Sequence, residues 1–212
     1  MPANRPDFSL ESAAIAGGYR FVVGVDEAGR GPLAGPVTAA AVRLNPARIP
    51  LGLNDSKQLS PARRASLAAQ LLEWADVGIG HATVAEIDQI NILRASHLAM
   101  LRALAGLPQR PDLVLIDGNQ LPRGLDIPAR SIVKGDATCL SIAAASIVAK
   151  VMRDSIMVDL AQQHPGYGWD HNAGYPTAEH RAALVRLGPT AHHRRSFGPV
   201  HKILYQGISL TP

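Results

Sequence analysis

The stretch that decides the fold is Phe21-Val22-Val23-Gly24-Val25-Asp26-Glu27-Ala28-Gly29-Arg30-Gly31. Its apolar, β-branched first half is typical of a buried strand, in which side chains alternate between the two faces. Asp26 and Glu27 therefore point in opposite directions unless the strand ends there. Two carboxylates at the end of a core strand are costly to desolvate, and a divalent cation would compensate that cost. The alternative is a strand end that runs into a solvated turn, and the pair alone does not decide between the two.

Asp117 repeats this pattern. Residues 112–116 predict a second buried strand that ends in Asp117, and Gly118 permits a sharp exit. If the two strands are neighbours, both carboxylates emerge at one edge of the sheet, where open α/β sheets place their sites. Asp136 precedes an alanine-rich helix, so it is either the N-cap of that helix or a fourth carboxylate of the cluster.

Four acids without cysteine or histidine at ligand spacing predict a site of oxygen ligands, which suits Mg²⁺ or Mn²⁺ rather than zinc. Two such ions would activate a water and stabilise the leaving oxygen in the hydrolysis of a phosphodiester. No serine, cysteine or histidine nucleophile is then needed. His81 and His97 fit a strand and a helix pattern, and we expect them to pack or to lie on the surface.

The rest of the chain predicts strands that alternate with helices. A short turn joins the first strand to the run at residues 35–44, so an antiparallel hairpin is expected. Further strands are predicted at 77–84 and 131–133, and helices at 60–74, 86–105 and 138–160. Gly78 and Gly80 leave room for a close neighbour. The order favours a mixed α/β sheet with helices on its faces.

The composition is that of an ordinary globular protein. A length of 212 residues suits one domain, with or without a small appendage, and the hydrophobic content is 47%. The single cysteine, Cys139, excludes a disulfide framework and a thiolate zinc site, which fits a reducing cytosol. The first twenty residues lack the order of a signal peptide, and residues 137–149 are too short to span a bilayer. We therefore expect a soluble, cytoplasmic protein with no membrane segment.

The net charge of +4 is unevenly placed. The C-terminal part carries seven basic or histidine side chains, namely Arg181, Arg186, His192, His193, Arg194, Arg195 and Lys202. Only Asp170 and Glu179 oppose them. A basic face beside an acidic metal site is the layout expected for a polyanionic substrate.

Seven segments of the chain carry a resemblance to a known family. They are Val25-Asp26-Glu27-Ala28-Gly29-Arg30-Gly31-Pro32, Leu53-Asn54-Asp55-Ser56-Lys57, Leu115-Ile116-Asp117-Gly118-Asn119, Val133-Lys134-Gly135-Asp136, residues 141–154, Gly174-Tyr175-Pro176-Thr177 and residues 193–200. In this order they resemble bacterial ribonuclease HII, and little between Phe21 and Val200 is unmatched. The related HIII enzymes carry an extra N-terminal domain, which about twenty leading residues cannot supply.

The resemblance implies a ribonuclease H-like fold, with a mixed five-stranded sheet, flanking helices and a helical C-terminal extension. The catalytic domain would span residues 21–200, between an N-terminal extension (1–20) and a tail (201–212). The implied substrates are RNA–DNA hybrids and duplex DNA with embedded ribonucleotides, cut on the 5′ side of the ribonucleotide to leave 3′-hydroxyl and 5′-phosphate ends. The cofactors would be two Mn²⁺ or Mg²⁺ ions, and a monomer is expected.

The resemblance also assigns roles to residues. It places metal binding and catalysis on Asp26, Glu27, Asp117 and Asp136, and substrate binding on Gly29, Arg30, Gly31 and Tyr175. Glycines let the backbone approach a sugar and bond its 2′-hydroxyl, and an arginine can clamp the adjacent phosphate.

Some assignments keep a second interpretation. Tyr175 offers a flat face to a neighbouring deoxyribose, but it would also suit a core. Ser56 and Lys57 fit phosphate contact or a solvated loop. Asp154 belongs to the family pattern but would lie about 27 Å along a continuous helix from Asp136. We interpret it as structural. Ala173 stands where many relatives have a lysine, which puts affinity in doubt.

Three other functions are alternatives to a ribonuclease. A DNA nuclease of the same fold, such as a resolvase or exonuclease, would have no 2′-hydroxyl to read with the Gly-Arg-Gly element and Tyr175. A non-catalytic hybrid-binding protein would keep a like-charge cluster that costs stability without metals. A small-molecule phosphatase leaves the basic C-terminal residues unexplained.

Overall fold

A mixed five-stranded sheet forms the centre of the molecule in the computed structural model, which describes residues 5–206. The strands are β1 (Val22–Ala28), β2 (Val37–Arg43), β3 (Asp76–Ala82), β4 (Leu113–Asp117) and β5 (Ala129–Ile132). Their order across the sheet is β3-β2-β1-β4-β5. β1 pairs antiparallel with β2 and parallel with β4, which confirms the predicted hairpin and the predicted mixed sheet.

Helices cover both faces of this sheet and build the C-terminal part. They are α1 (Ser9–Ala16), α2 (Pro61–Trp74), α3 (Val84–Ala105), α4 (Leu140–Gln163), α5 (Trp169–Asn172), α6 (Ala178–Leu187) and α7 (Gly198–Gln206). α2 begins where the sequence predicts, because the Ser60 side chain accepts a hydrogen bond from the N–H of Arg63 and Pro61 is the first helical residue. Among the helices described, none has the length and apolar character needed to cross a bilayer.

Glycines let the two longest helices lie directly on the strands. A Cβ on Gly78 or Gly80 of β3 would collide with the backbone of α3, and one on Gly24 of β1 would collide with the backbone of α4 at Ser141. The predicted space above β3 is therefore filled by α3. β1 is buried on both faces, so its carboxylates mark the point where it leaves the core.

Asp136 is not the N-cap of α4, and that interpretation is wrong. The helix begins four residues later, with Cys139 at the N-cap, and Asp136 lies in a separate 3₁₀ turn, Gly135–Ala137. Lys134, just before it, adopts a left-handed conformation (φ 56°) that turns the chain away from the helix. Glu11 of α1 serves the helix start instead, since it accepts a hydrogen bond from the N–H of Ser141.

The predicted basic C-terminal face is partly wrong. Arg194 and His193 are fully buried, so they present no charge to solvent. The Arg194 guanidinium donates instead to backbone carbonyls of the loop after β1. The segment that carries these residues is anchored by Asp88 of α3, whose carboxylate accepts from the N–H groups of Arg195 and Ser196.

The division into an extension (1–20), a catalytic domain (21–200) and a tail (201–212) stays a prediction. α1 lies within the proposed extension, and α7 crosses from the proposed domain into the tail. The remainder of the tail, residues 207–212, and residues 1–4 lie outside the described residues.

Candidate active site

Two carboxylates lie side by side at the carboxyl ends of neighbouring strands. The parallel register pairs Val25 of β1 with Ile116 of β4, so the next residues, Asp26 and Asp117, are adjacent. Both point toward α4, the face on which Gly24 meets Ser141. This adjacency confirms the prediction that the two carboxylates emerge at one edge of the sheet.

The other two acids reach this edge from different directions. β1 continues to Ala28, so Glu27 lies on the opposite face of the strand from Asp26 and forms an ion pair with Arg30, at 3.1 Å. Asp136 arrives with the 3₁₀ turn after β5, which is fixed because the N–H of Gly135 donates to Asp117 Oδ1 at 2.7 Å. The Asp136 carboxylate lies 3.4 Å from Lys57 Nζ.

A cavity of about 240 Å³ opens beside these acids. Its lining is Asp26, Glu27, Ala28, Gly29, Arg30, Gly31, Ser56, Lys57, Asp117, Ser146, Lys150 and Tyr175. Every residue that the sequence assigned to metal or substrate is in this lining except Asp136, which is joined to it through Lys57. Ser146 and Lys150, both on α4, are additions that the sequence reasoning did not identify.

The carboxylates of the cavity repel one another. Burial raises the pKa of Asp26 well above its usual range, and the charges of Glu27 and Asp117 add to this effect. Burial and the charge of Asp117 also raise the pKa of Asp136. Burial acts to lower the pKa of Lys57, but the neighbouring acids, chiefly Asp55 and Asp136, outweigh it and raise that pKa. Lys57 and Arg30 therefore do not fully compensate the negative charge of this edge, because the pKa of Glu27 is raised as well.

This donor set fits a hard divalent cation, which prefers carboxylate oxygens. Within residues 5–206, however, no three acidic, histidine or cysteine side chains are already grouped as a metal site. Two ion pairs account for this, because Glu27 pairs with Arg30 and Asp136 pairs with Lys57. A bound cation would compete with these two basic side chains for the acids.

The loop that follows β1, residues 29–36 (the glycine loop), is folded around a buried guanidinium. Arg194 donates to the carbonyls of Gly29 and Arg30 at one end of the loop and of Gly35 and Pro36 at the other, at 2.6–3.1 Å. These contacts satisfy the arginine without any carboxylate. Burial lowers its pKa to about 9, with the charge of the nearby Arg153 as a smaller cause.

Arg153 of α4 ties the glycine loop to the segment that carries Tyr175. Its guanidinium donates to the carbonyls of Ala34 and Pro36 in the loop and to that of Ala173, all at 2.9–3.0 Å. Gly29 has φ 95°, and a Cβ there would collide with the Arg153 side chain. Sequence reasoning missed both arginines, because an arginine that will be buried resembles an exposed one until its carbonyl partners are placed.

Tyr175 is not a core residue, so the core interpretation is wrong. The residue is 42% exposed, and its ring edge lies 3.5 Å from the position that a Cβ on Gly31 would take. Lys150 Nζ lies 5.9 Å from the ring centroid. The tyrosine and the Gly-Arg-Gly element thus face the same cavity.

Ser56 and Lys57 differ in what they offer. Ser56 lines the cavity but is buried, and its hydroxyl accepts a hydrogen bond from Ser146 Oγ at 2.7 Å. The Lys57 side chain is 79% exposed and available to a ligand. Asp154, interpreted as structural, pairs at 2.8 Å with Lys150, which lines the cavity.

Comparison with known proteins identifies the family. The family model described as "Ribonuclease HII" matches residues 23–200. A ribonuclease HII of Cereibacter sphaeroides is 69% identical over 212 residues, which is the whole of both chains.

Two solved structures are similar to the fold. The ribonuclease H2 from Pyrococcus horikoshii OT3 superposes with a TM-score of 0.73 and 28% identity, over 88% of this chain and 98% of that one. The Bst-RNase HIII in complex with Mn²⁺ has a TM-score of 0.68 and 19% identity over 87% of this chain and 69% of that one, and shows the fold alone. The chain therefore belongs to the ribonuclease HII family and is an endonucleolytic hydrolase of the ribonuclease H class.

Proposed function

We propose that this ribonuclease H cuts duplex DNA on the 5′ side of embedded ribonucleotides, as well as the RNA strand of RNA–DNA hybrids. The products are a 3′-hydroxyl and a 5′-phosphate. One observation carries the proposal: a single cavity is lined by three acids of the cluster, the Gly-Arg-Gly element and Tyr175. The first group suits phosphodiester hydrolysis, and the other two suit recognition of a sugar.

The acids Asp26, Glu27, Asp117 and Asp136 are the proposed metal ligands and catalytic residues. Two divalent cations held there would supply the charge that activates a water and stabilises the leaving oxygen. The Mn²⁺ in the Bst-RNase HIII complex supports manganese as one suitable ion, and Mg²⁺ shares the same preference for oxygen ligands.

The Gly-Arg-Gly element reads the ribose in this proposal. A 2′-hydroxyl is the group that distinguishes RNA from DNA at a given position, and Gly29 and Gly31 let backbone groups approach it. Arg30 is held by Glu27 in the absence of substrate. If Glu27 held a cation, the Arg30 guanidinium would be free to clamp the adjacent phosphate with its fork of donors.

Tyr175 and the two lysines of the cavity complete the substrate site. The exposed ring of Tyr175 offers a face for the deoxyribose next to the ribonucleotide. Its position opposite Gly31 supports this proposal, because the two sugars would then lie on neighbouring surfaces. Lys57 and Lys150 supply positive charge for backbone phosphates. We propose further that the enzyme acts as a cytoplasmic monomer, which light scattering coupled to size-exclusion chromatography would test for the oligomeric state.

The test of the function uses three end-labelled duplexes of one sequence: one with a single ribonucleotide, one all-DNA, and one RNA–DNA hybrid. Each is incubated with Mg²⁺, Mn²⁺ or EDTA. The expected result is cleavage of the first at the 5′ side of the ribonucleotide and of the hybrid at many positions, only with metal. Cleavage of the all-DNA duplex would instead identify the protein as a DNA nuclease of the same fold. Tight binding of the first duplex or the hybrid without cleavage would instead indicate a non-catalytic binding protein.

A further inference from the structure

Two buried histidines lie behind Tyr175 in the C-terminal part. His180 is on α6 and His193 is in the segment before α7, and neither is exposed to solvent. Their Nε2 atoms face each other at 3.2 Å, and the Nδ1 of His180 lies 2.9 Å from the carbonyl oxygen of Tyr175. No role in catalysis or substrate binding accounts for this pair, because neither histidine lines the cavity.

The hydrogen bonds of His193 fix which of its nitrogens carries the proton. The backbone N–H of Thr190 donates to His193 Nδ1 at 2.9 Å, so Nδ1 is an acceptor. A neutral imidazole with an accepting Nδ1 carries its hydrogen on Nε2. That hydrogen points at His180.

Two further contacts fix His180 independently. The indole N–H of Trp169, which can only donate, lies 3.0 Å from His180 Nε2, so this nitrogen is an acceptor. It accepts from His193 as well. The hydrogen of His180 is therefore on Nδ1, where it faces the carbonyl oxygen of Tyr175, a group that can only accept.

Both rings are held in the neutral form. Burial lowers the pKa of His180, and burial together with the neighbouring His180, His192 and His164 lowers the pKa of His193 to about 3. Protonation of His180 would place an N–H at its Nε2, opposite the N–H groups of His193 and Trp169. Protonation of His193 would place one at its Nδ1, opposite the N–H of Thr190. The chain of hydrogen bonds thus has one direction, from His193 through His180 to Tyr175.

A hydrogen bond to the Tyr175 carbonyl is needed to fix the backbone there, because the chain that leads to it is strained. Ala173 has φ 49°, in the left-handed region that non-glycine residues rarely adopt, and Gly174 has φ 79°. The carbonyls of Ala173 and Gly174 are held by Arg153 and by the N–H of Leu33. The Tyr175 carbonyl is the next in the series: it accepts from the N–H of Thr177 at 2.8 Å and, from α6, from Nδ1 of His180 at 2.9 Å.

We infer that His180, locked in its Nδ1–H tautomer by His193 and Trp169, is a positioning residue that sets where the Tyr175 ring meets the substrate. The inference deepens the proposed function and rests on it, since it assumes that Tyr175 contacts the deoxyribose next to the ribonucleotide. A shift of about 1 Å in a positioning group is enough to cost up to about a hundredfold in rate.

Two variants of one residue test this directly. His180→Asn keeps an N–H donor near the position of Nδ1. His180→Gln places its polar atoms near Nε2, so the Tyr175 carbonyl loses its donor from α6 and keeps only the N–H of Thr177. The readout is the ratio of kcat/KM for a duplex with one ribonucleotide to kcat/KM for a long hybrid. We expect the Gln variant to lower this ratio about tenfold or more, and the Asn variant to retain most of it. A role in stability alone would lower both activities equally and leave the ratio unchanged, which would overturn the inference.

Tyr175→Ala separates this inference from the proposed function. If Tyr175→Ala leaves the ratio unchanged, the proposed role of the tyrosine fails. If it lowers the ratio and His180→Gln does not, only the role of His180 fails.

A second measurement needs no variant and keeps the inference testable if His180→Gln does not fold. Nitrogen-15 NMR of the imidazoles in the wild-type protein is expected to show hydrogen on Nδ1 of His180 and on Nε2 of His193. Hydrogen on Nε2 of His180 would contradict the proposed direction of the chain and overturn the inference.

Discussion

The two sides of the cavity are stabilised in opposite ways. On the acid edge, formed by Asp26, Glu27, Asp117 and Asp136, burial and mutual repulsion raise the pKa of Asp26, Glu27 and Asp136. On the recognition side, formed by the glycine loop and residues 173–177, Arg153, Arg194 and His180 are buried and donate to backbone carbonyls. The acid edge is therefore electrostatically unbalanced in the free protein, whereas the recognition side is already satisfied.

This difference is the one that the proposed function requires of the two sides. Repulsion among the acids of a divalent-cation site increases its affinity for the ions, because binding the ions relieves that repulsion. A surface that reads one hydroxyl group has to hold its geometry before the substrate binds, because ordering it on binding would cost affinity and selectivity. The predictions below test whether the two sides really differ in this way.

The largest effect is expected on activity, from Asp117→Asn. The amide keeps an oxygen that can accept from the N–H of Gly135, but it removes a charge from the acid edge. Turnover should fall by orders of magnitude while binding of a ribonucleotide-containing duplex is retained. The metal-free variant should also be more stable toward urea than the wild type, because Asp117 repels Asp26. Normal cleavage by this variant would show that the metal assignment is wrong.

The second effect is on stability, from Arg194→Met. The change leaves the carbonyls of Gly29, Arg30 and Gly35 in the glycine loop without their buried donor, whereas the Pro36 carbonyl keeps Arg153. An unsatisfied buried group costs about 1–3 kcal/mol. We expect the free energy of unfolding in urea to fall by about 3 kcal/mol or more. Arg186→Met on the exposed surface of α6 is the matched control and should change it little. Equal effects would mean that the loop is not organised by Arg194.

A third test compares the two recognition groups. Arg30→Ala and Tyr175→Ala should each lower incision at a single ribonucleotide by about tenfold or more, because substrate positioning is lost. Neither should weaken metal binding in a calorimetric titration with Mn²⁺ by a comparable factor. If both variants keep the wild-type preference for the ribonucleotide junction, these residues do not read the substrate.

The smallest effect is a dependence of stability on pH. The pKa of Asp26 is raised in the folded protein, so the folded state holds a proton that the unfolded state has already released. The stability associated with that proton is present below the unfolded pKa, about 3.9, and is lost as the pH rises through the folded pKa. Metal-free Asp26→Asn should therefore gain stability over the wild type as the pH rises through this range, measured by urea unfolding. A constant difference across the range would contradict the imbalance of the acid edge.

The local pattern of the chain was enough to predict most of the framework. Three features could be predicted directly from the sequence: the strand before Asp26, the capped start of α2 at Ser60 and the space above Gly78. They depend on neighbours in sequence, on backbone freedom and on the alternation of side chains. The exact start of α4 could not. It depends on a turn at Lys134 and on Glu11, a residue more than a hundred positions away that accepts from the first turn of the helix.

The sequence alone was enough to predict which groups carry the chemistry: the acids Asp26, Glu27, Asp117 and Asp136, the Gly-Arg-Gly element and Tyr175, through the resemblance that links them. The tertiary structure alone decided how these groups are arranged. The register of β1 with β4 makes Asp26 and Asp117 adjacent, and the burial of Arg153, Arg194 and His193 turns polar residues into supports for the recognition side. The physical reason is that strand pairing and burial are set by partners distant in sequence. The local sequence around a side chain does not identify those partners, which meet it only when the chain folds.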